Sequence, residues 1–325
     1  MNLPILSDIE DAAGRLEGII RETPLFESME LNEGAGGRVF IKPECLQRTG
    51  SFKIRGAYNL MSQLSNKEAA RGVVAFSSGN HAQGVALAGQ LLKISTTIVI
   101  PSDAPPAKIE KTKAYGGNVV LYDRLKENRE ELASAIALRK NAILVPSYDH
   151  KDIIVGQGTM GLEIIQQSLR KNVVPDQVLI CCGGGGLSAG SAIAIKELSK
   201  ETDIYLVEPE DFNDTQISFN NGHRVRNKYS KKSICDALLT DTPGELTFSI
   251  NKELAKDVLT VSDEEVQHAM RFAFLYFKMV VEPGGAVALA AALQKKINCV
   301  DKVTALVLSG GNVDKELFAT IQRSN

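Results

Sequence analysis

Long apolar runs are missing from this sequence. No stretch approaches the roughly 18 residues needed to span a bilayer, so no membrane-spanning helix is expected. No basic region precedes an apolar core at Met1-Asn2-Leu3-Pro4-Ile5-Leu6-Ser7-Asp8, so no secretory leader is expected either. Charge of one sign is also missing. The 37 Lys and Arg are balanced by 39 Asp and Glu, a net charge of −2, and no Lys/Arg run offers a footprint for nucleic acid. Cysteine is sparse and odd in number: Cys45, Cys181, Cys182, Cys235 and Cys299. Only Cys181-Cys182 is close in sequence and no metal-type spacing occurs. Free thiols in a reducing, cytoplasmic setting are therefore expected. There is no low-complexity tract and no repeat of solenoid period. No added regulatory domain is expected after the last strand.

What is present is an alternation of short apolar strands and helices. Residues 7–20 read as a helix, with Ser7 as cap, Glu10 three residues later, and Ile9, Ala12, Ala13, Leu16 and Ile19 on one face. A strand is expected at 38–42, behind the turn Gly34-Ala35-Gly36-Gly37. Strands at 73–76, 97–100, 118–122 and 143–145 alternate with helices at 85–92, 107–115 and 129–140. The second half repeats this grammar, with helices at 159–169, 189–198, 264–277 and 286–294 and strands at 177–182, 204–207 and 303–308. Residues 209–250 are polar and turn-rich. Short strands separated by helices imply βαβ units and parallel sheets. At 325 residues and 44% hydrophobic, the chain is long enough for two lobes.

Five stretches carry chemistry. Ser51-Phe52-Lys53-Ile54-Arg55-Gly56-Ala57 places a lysine near the start of a helix whose apolar face is Ile54, Ala57, Leu60, Met61 and Leu64. A lysine held there is a candidate for a lowered pKa, and only a neutral amine attacks a carbonyl. An ordinary solvated lysine fits the same stretch. Loops at 77–81, 183–188, 208–214 and 309–312 each follow a strand, and open parallel sheets bind ligands at the carboxyl ends of strands. Four glycines, Gly183 to Gly186, expose backbone N–H groups and let a phosphate approach, unless they only make a tight turn. They match neither the dinucleotide GxGxxG pattern nor the GxxxxGK[ST] pattern of nucleotide triphosphatases. Ser77-Ser78-Gly79-Asn80-His81 at a helix start suits a carboxylate, or simply caps the helix. His81 is a candidate base or a structural histidine. Glu208, Glu210, Asp211 and Asp214 gather oxygens that suit a hard cation or a solvated loop. Ser309 offers a hydroxyl at a strand end that suits a heterocyclic nitrogen.

Taken in order, Ser-Phe-Lys-Ile-Arg-Gly-Ala at 51–57, Ser-Ser-Gly-Asn-His at 77–81, Gly-Gly-Gly-Gly-Leu at 183–187 and Ser-Gly-Gly-Asn at 309–312 resemble the pyridoxal-phosphate enzymes of fold type II. Within them the chain is similar to the serine/threonine dehydratase and serine racemase group, over nearly its whole length. The resemblance implies an α/β fold of two open parallel-sheet lobes, tryptophan synthase β-like, with the cofactor in the cleft. Residues 1–59 and 149–325 would form the large cofactor-binding lobe and 60–148 the small substrate-binding lobe. Lys53 would carry pyridoxal 5'-phosphate and then act as base and acid at the substrate Cα. Phe52 would pack beside the ring and Asn80 would bond its 3-oxygen. The amides of Gly183, Gly184, Gly185, Gly186 and Leu187 would hold the phosphate, and Ser309 would face the pyridine nitrogen. A hydroxyl there leaves the nitrogen largely unprotonated, a weaker electron sink that favours β-elimination. Ser77, Asn80 and His81 would bind the substrate carboxylate. Glu208, Asp214 and the Phe212 carbonyl match a metal site, which implies Mg2+ or Ca2+. A homodimer or homotetramer acting on a small amino acid is expected.

The activity implied first is a threonine/serine ammonia-lyase that makes a 2-oxo acid and ammonia. Two positions depart from plain dehydratases. Ser78 stands where many have Ala and racemase-like members have Ser, and a hydroxyl opposite Lys53 supplies the second acid/base that racemisation requires. Arg129 matches an arginine that in racemase-like members reaches a substrate or inhibitor carboxylate. Serine racemase and threo-3-hydroxyaspartate ammonia-lyase are therefore the alternatives. Against them, Gln47-Arg48-Thr49-Gly50 reads like the threonine-dehydratase form. Ser78 as a helix cap and Arg129 as a surface charge are the plain readings.

Overall fold

The computed structural model describes residues 3–77, 79–227 and 232–323. Ten strands lie among them: β1 (Phe26–Glu27), β2 (Arg38–Pro43), β3 (Val73–Phe76), β4 (Thr96–Pro101), β5 (Asn118–Tyr122), β6 (Ile143–Leu144), β7 (Gln177–Cys181), β8 (Asp203–Pro209), β9 (Asp257–Val261) and β10 (Val303–Leu308). They form a six-stranded sheet in the order β1-β2-β10-β7-β8-β9 and a four-stranded sheet in the order β5-β4-β3-β6. Every pairing is parallel except β1 with β2. The central strands are unbroken apolar runs, Val178-Leu179-Ile180 and Ala305 to Leu308, all fully or nearly fully buried. Strands covered by helices on both faces take that composition. Among the described residues no helix is long and apolar enough to cross a membrane.

Two helices set the geometry between the sheets. The helix Lys53–Met61 lies against Lys151–Arg170, and the contact depends on glycine. A Cβ on Gly156 would fall 2.7 Å from the Gly56 Cα, so a side chain there would force the helices apart. On its other flank Ile54, Ala57, Leu60 and Met61 join the core around Val73, Ala75, Val85, Ile98 and Ile100. Lys53, at the first turn of this helix, is thereby placed where the two sheets face each other.

Several elements differ from expectation. The first helix is Leu6–Leu16, and Asp8, not Glu10, closes its first turn by accepting the Ile5 N–H at 3.0 Å. The turn-rich stretch 209–250 contains helices Asp214–Asn221 and Glu245–Leu254. The second is held by a distant residue: Asp149 accepts the N–H groups of Glu245, Leu246 and Thr247. The helix expected at 264–277 stops at Phe272 and continues as a π turn, Ala273–Phe277, ended by Lys278 in the left-handed region. Strand β9 and helix Lys315–Arg323 carried no distinct sequence signal.

Candidate active site

Of the four candidate loops that follow strands, three face one crevice. The loops after β3, β7 and β10 line a cleft of about 570 Å³ together with Phe52 and Lys53. The fourth, after β8, lies outside that lining. Lys53 Nζ donates to the Ser147 carbonyl at 2.7 Å and lies 5.1 Å from the Phe52 ring centre. Burial pulls its pKa down to about 8, which the opposing fields of Cys181 and Glu282 do not offset. The amine is therefore partly neutral near physiological pH.

The glycine loop shows a division between its two edges. Gly184 O accepts the Thr247 hydroxyl at 2.6 Å, and Gly185 O accepts from Ser188 Oγ and Asn251 Nδ2. Among the described residues nothing meets the N–H groups of Gly183, Gly184 or Gly185. Carbonyls tied back and amides left open make an anion cradle at the start of helix Gly186–Leu198. Gly185 has φ +88°, and a Cβ on Gly184 would fall 2.3 Å from the Tyr148 ring. Each position therefore needs glycine for its own reason. Leu187 follows the cradle, buried and facing the cleft.

Asn80 opens the helix Asn80–Leu92, with Nδ2 on Glu282 Oε1 at 2.5 Å and Oδ1 on Asn312 Nδ2 at 2.8 Å. Ser309 lies just past β10, buried, and lines the cleft beside Cys181. Ser77 Oγ accepts the Gly79 N–H at 3.1 Å. His81 contributes no charge. Burial, then the nearby Lys53, lower its pKa to about 3, and its Nε2 bonds the Val145 carbonyl at 3.0 Å. Any carboxylate held at this helix start meets a neutral imidazole. Arg129 stands exposed on the cleft wall, 5.7 Å from the Phe76 ring centre. Ser78 lies outside the described residues.

Residues 16–310 match the family model described as pyridoxal-phosphate dependent enzyme. The chain belongs to this family. An L-threo-3-hydroxyaspartate ammonia-lyase from Pseudomonas sp is 44% identical over 99% of this chain and 99% of its own length. A serine racemase from Schizosaccharomyces pombe is 42% identical over 98% of this chain and 97% of its own. A solved threonine deaminase from T.th. superposes with a TM-score of 0.90 at 42% identity, covering 96% of this chain and 99% of that one. The protein is thus a fold type II pyridoxal-phosphate enzyme of the ammonia-lyase and racemase group.

The site's chemistry fits the cofactor of this family. The open amides of the glycine cradle suit its phosphate, and Lys53, Asn80 and Ser309 surround the adjoining space. The metal expectation fares differently. Among the described residues no group of three or more His, Cys, Asp or Glu gathers. Glu208 and Asp214 form only a pair, and both Glu208 oxygens already accept main-chain N–H groups, of Thr215 at 3.1 Å and Gln216 at 2.9 Å. The Asp214 oxygens are buried without a partner. Burial drives both acids up, Asp214 to about 8, and Glu208 is raised further by Asp214 itself. A cation would relieve that repulsion, but among the described residues no third His, Cys, Asp or Glu joins the pair.

Sequence reasoning missed Glu282 and Tyr148, and gave Asn312, inside the 309–312 motif, no role of its own. Glu282 was visible only as the residue before Pro283-Gly284-Gly285. Tyr148 carried no motif; its ring covers the glycine cradle from a segment far away in sequence.

Proposed function

We propose that this enzyme removes ammonia from 3-hydroxy-2-amino acids, with L-threo-3-hydroxyaspartate as its preferred substrate. The observation that carries this reading is Arg129. It lines the cleft, and among the described residues no carboxylate pairs with it. Lys108 pairs with Asp236 and Arg226 with Asp241, so they are committed elsewhere. Arg224 also lines the cleft without a carboxylate partner among the described residues, but its Nε already donates to the Pro243 carbonyl at 2.9 Å, which leaves Arg129 the freer guanidinium fork for a second carboxylate.

When bound, pyridoxal phosphate supplies the electron sink that acidifies the substrate Cα–H. The glycine amides hold its phosphate. Ser77 and the first-turn N–H groups of helix Asn80–Leu92 hold the 1-carboxylate, and Arg129 the 4-carboxylate. Lys53, neutral in part because it is buried, takes the Cα proton. That proton departs with the 3-hydroxyl as water, and hydrolysis of the resulting 2-enamine releases ammonia and a 2-oxo acid. For hydroxyaspartate that acid is oxaloacetate. Glu208 and Asp214 would hold Mg2+ or Ca2+, away from the reacting atoms.

The same machinery without Arg129 would act on L-threonine and L-serine, the reading the sequence motifs put first. A panel of L-threo-3-hydroxyaspartate, L-threonine, L-serine and D-serine, scoring 2-oxo acid and inverted amino acid together, ranks them. Higher kcat/KM on threonine than on hydroxyaspartate would refute the preference. Racemisation depends on Ser78, and Ser78→Ala is expected to suppress D-serine formation far more than dehydration. Equal losses would remove Ser78 from that role.

A further inference from the structure

We propose that Glu282 is a positioning residue for the cofactor, holding the Asn80 amide toward the ring and setting the charge beside it. This depends on the cofactor site and not on which substrate is used. Glu282 caps the buried helix Pro283–Leu293. Its N–H donates to Gly310 O at 3.0 Å and its carbonyl accepts from Gly285 N at 2.9 Å, so its main chain is fixed between that helix and the Ser309 loop. The side chain is 2% exposed and lines the cleft.

The bonds beyond it fix an orientation. Asn312 Nδ2 donates both to Asn80 Oδ1 at 2.8 Å and to Thr49 O at 2.7 Å. Because Asn312 occupies the oxygen of Asn80, the Asn80 nitrogen must face Glu282, at 2.5 Å. One of its two hydrogens is used there and the other is left for a ligand. Without Glu282 the amide loses the partner that keeps its nitrogen on the cleft side. Gly310 is part of the arrangement, since a Cβ there would fall 2.0 Å from Glu282 Oε1.

Charges of both signs flank Glu282. Burial and then Asp236 raise its carboxyl to about 7, against the bond from Asn80 and the fields of Lys108 and Lys111 on the small lobe. Cys45 and Cys181 are themselves raised, to about 12 and about 11, and the Cys235 thiol is pushed up as well, so these neighbours stay neutral. Lys53 adds a partial positive charge. Glu282 is therefore the buried carboxyl facing the cleft that changes charge near neutrality. As an anion it opposes negative charge on a ring oxygen beside Asn80; as a neutral acid it does not.

The test uses the holoenzyme and its apoprotein, with pyridoxal phosphate as titrant. The visible absorbance of the wild-type holoenzyme should change with a midpoint near pH 7. Glu282→Gln retains an acceptor for Asn80 but never ionises. It should lose that transition while binding the cofactor within about threefold of wild type. Glu282→Ala should bind about tenfold more weakly, and adding it to Asn80→Ala should cause little further loss, because the two act through one contact. An unchanged transition in Glu282→Gln overturns the proposal, as do additive losses in the double variant. Should Glu282→Ala fail to fold, as judged by circular dichroism, the Glu282→Gln titration decides alone.

Discussion

Lys53 Nζ donates to the main-chain carbonyl of Ser147, 94 residues away in sequence, at 2.7 Å. The same segment continues into Tyr148, which packs on Gly184 and Gly186, and Asp149, which caps the helix Glu245–Leu254. The amine and the anion cradle therefore share one support, so the distance between them is fixed by a single stretch of chain. A covalent linkage at one end and a phosphate at the other need that constancy.

The apoprotein should take up pyridoxal phosphate at a rate that rises with pH and levels off above about 8. Desolvation depresses the Lys53 pKa, so the reactive neutral form grows as pH passes that value. Stopped-flow absorbance at fixed cofactor concentration measures it. Lys53→Ala should show no visible band and lose at least ~10³-fold in kcat. A pH-independent uptake rate would show that the amine is not the group being titrated.

Arg55 should be among the most costly residues to remove. It is fully buried, with Nε and Nη2 on Glu44 at 2.8 Å and with Nη1 and Nη2 on Glu163 at 2.6 and 2.8 Å. Lys42 Nζ also meets Glu163, at 2.6 Å. Arg55→Leu leaves Glu44 buried with no cation in contact, which should cost ~3–5 kcal/mol in denaturant unfolding. Arg55→Lys should recover only part of it, because one ammonium cannot serve both carboxylates. Stability close to wild type in Arg55→Leu would mean that the network relaxes around the loss.

The legible parts of the site were those whose chemistry is local. Four consecutive glycines after an apolar strand announce a cradle because few turns need so many. Lys53 in its stretch could be placed at a helix start from spacing alone. Glu282 could not be read, because its meaning is its bond to Asn80, 202 positions away. Arg55 lay inside a motif already singled out, yet its burial depends on Glu163, 108 residues distant. His81 looked like a carboxylate ligand by position, and only the structure shows that its Nε2 is tied to the Val145 carbonyl while the residue still lines the cleft. The first helix start was misassigned for a simpler reason. Asp8 and Glu10 are both plausible partners of the first turn, and a choice between them depends on where the chain enters.

Divalent cations should stabilise the protein through Asp214. Its two oxygens are buried and unpartnered beside Glu208. At ~100 times Kd, Mg2+ or Ca2+ should add about 2.7 kcal/mol, seen as a rise in Tm by differential scanning fluorimetry. Asp214→Ala should abolish the rise without removing the cofactor's visible band. A rise that persists in the variant would locate the cation elsewhere.

Arg129→Gln should separate the substrates. If Arg129 holds the 4-carboxylate of hydroxyaspartate as proposed, the variant loses a bidentate bond, and kcat/KM for that substrate should fall about 10–100-fold. L-threonine carries a methyl group there and should change by less than about threefold. Because Arg129 is exposed, its attraction is screened by salt. Raising ionic strength should therefore depress wild-type activity on hydroxyaspartate more than on threonine, and that difference should disappear in Arg129→Gln. Equal losses on both substrates would assign Arg129 to the start of helix Arg129–Lys140 and its packing on Phe76, not to recognition of the substrate.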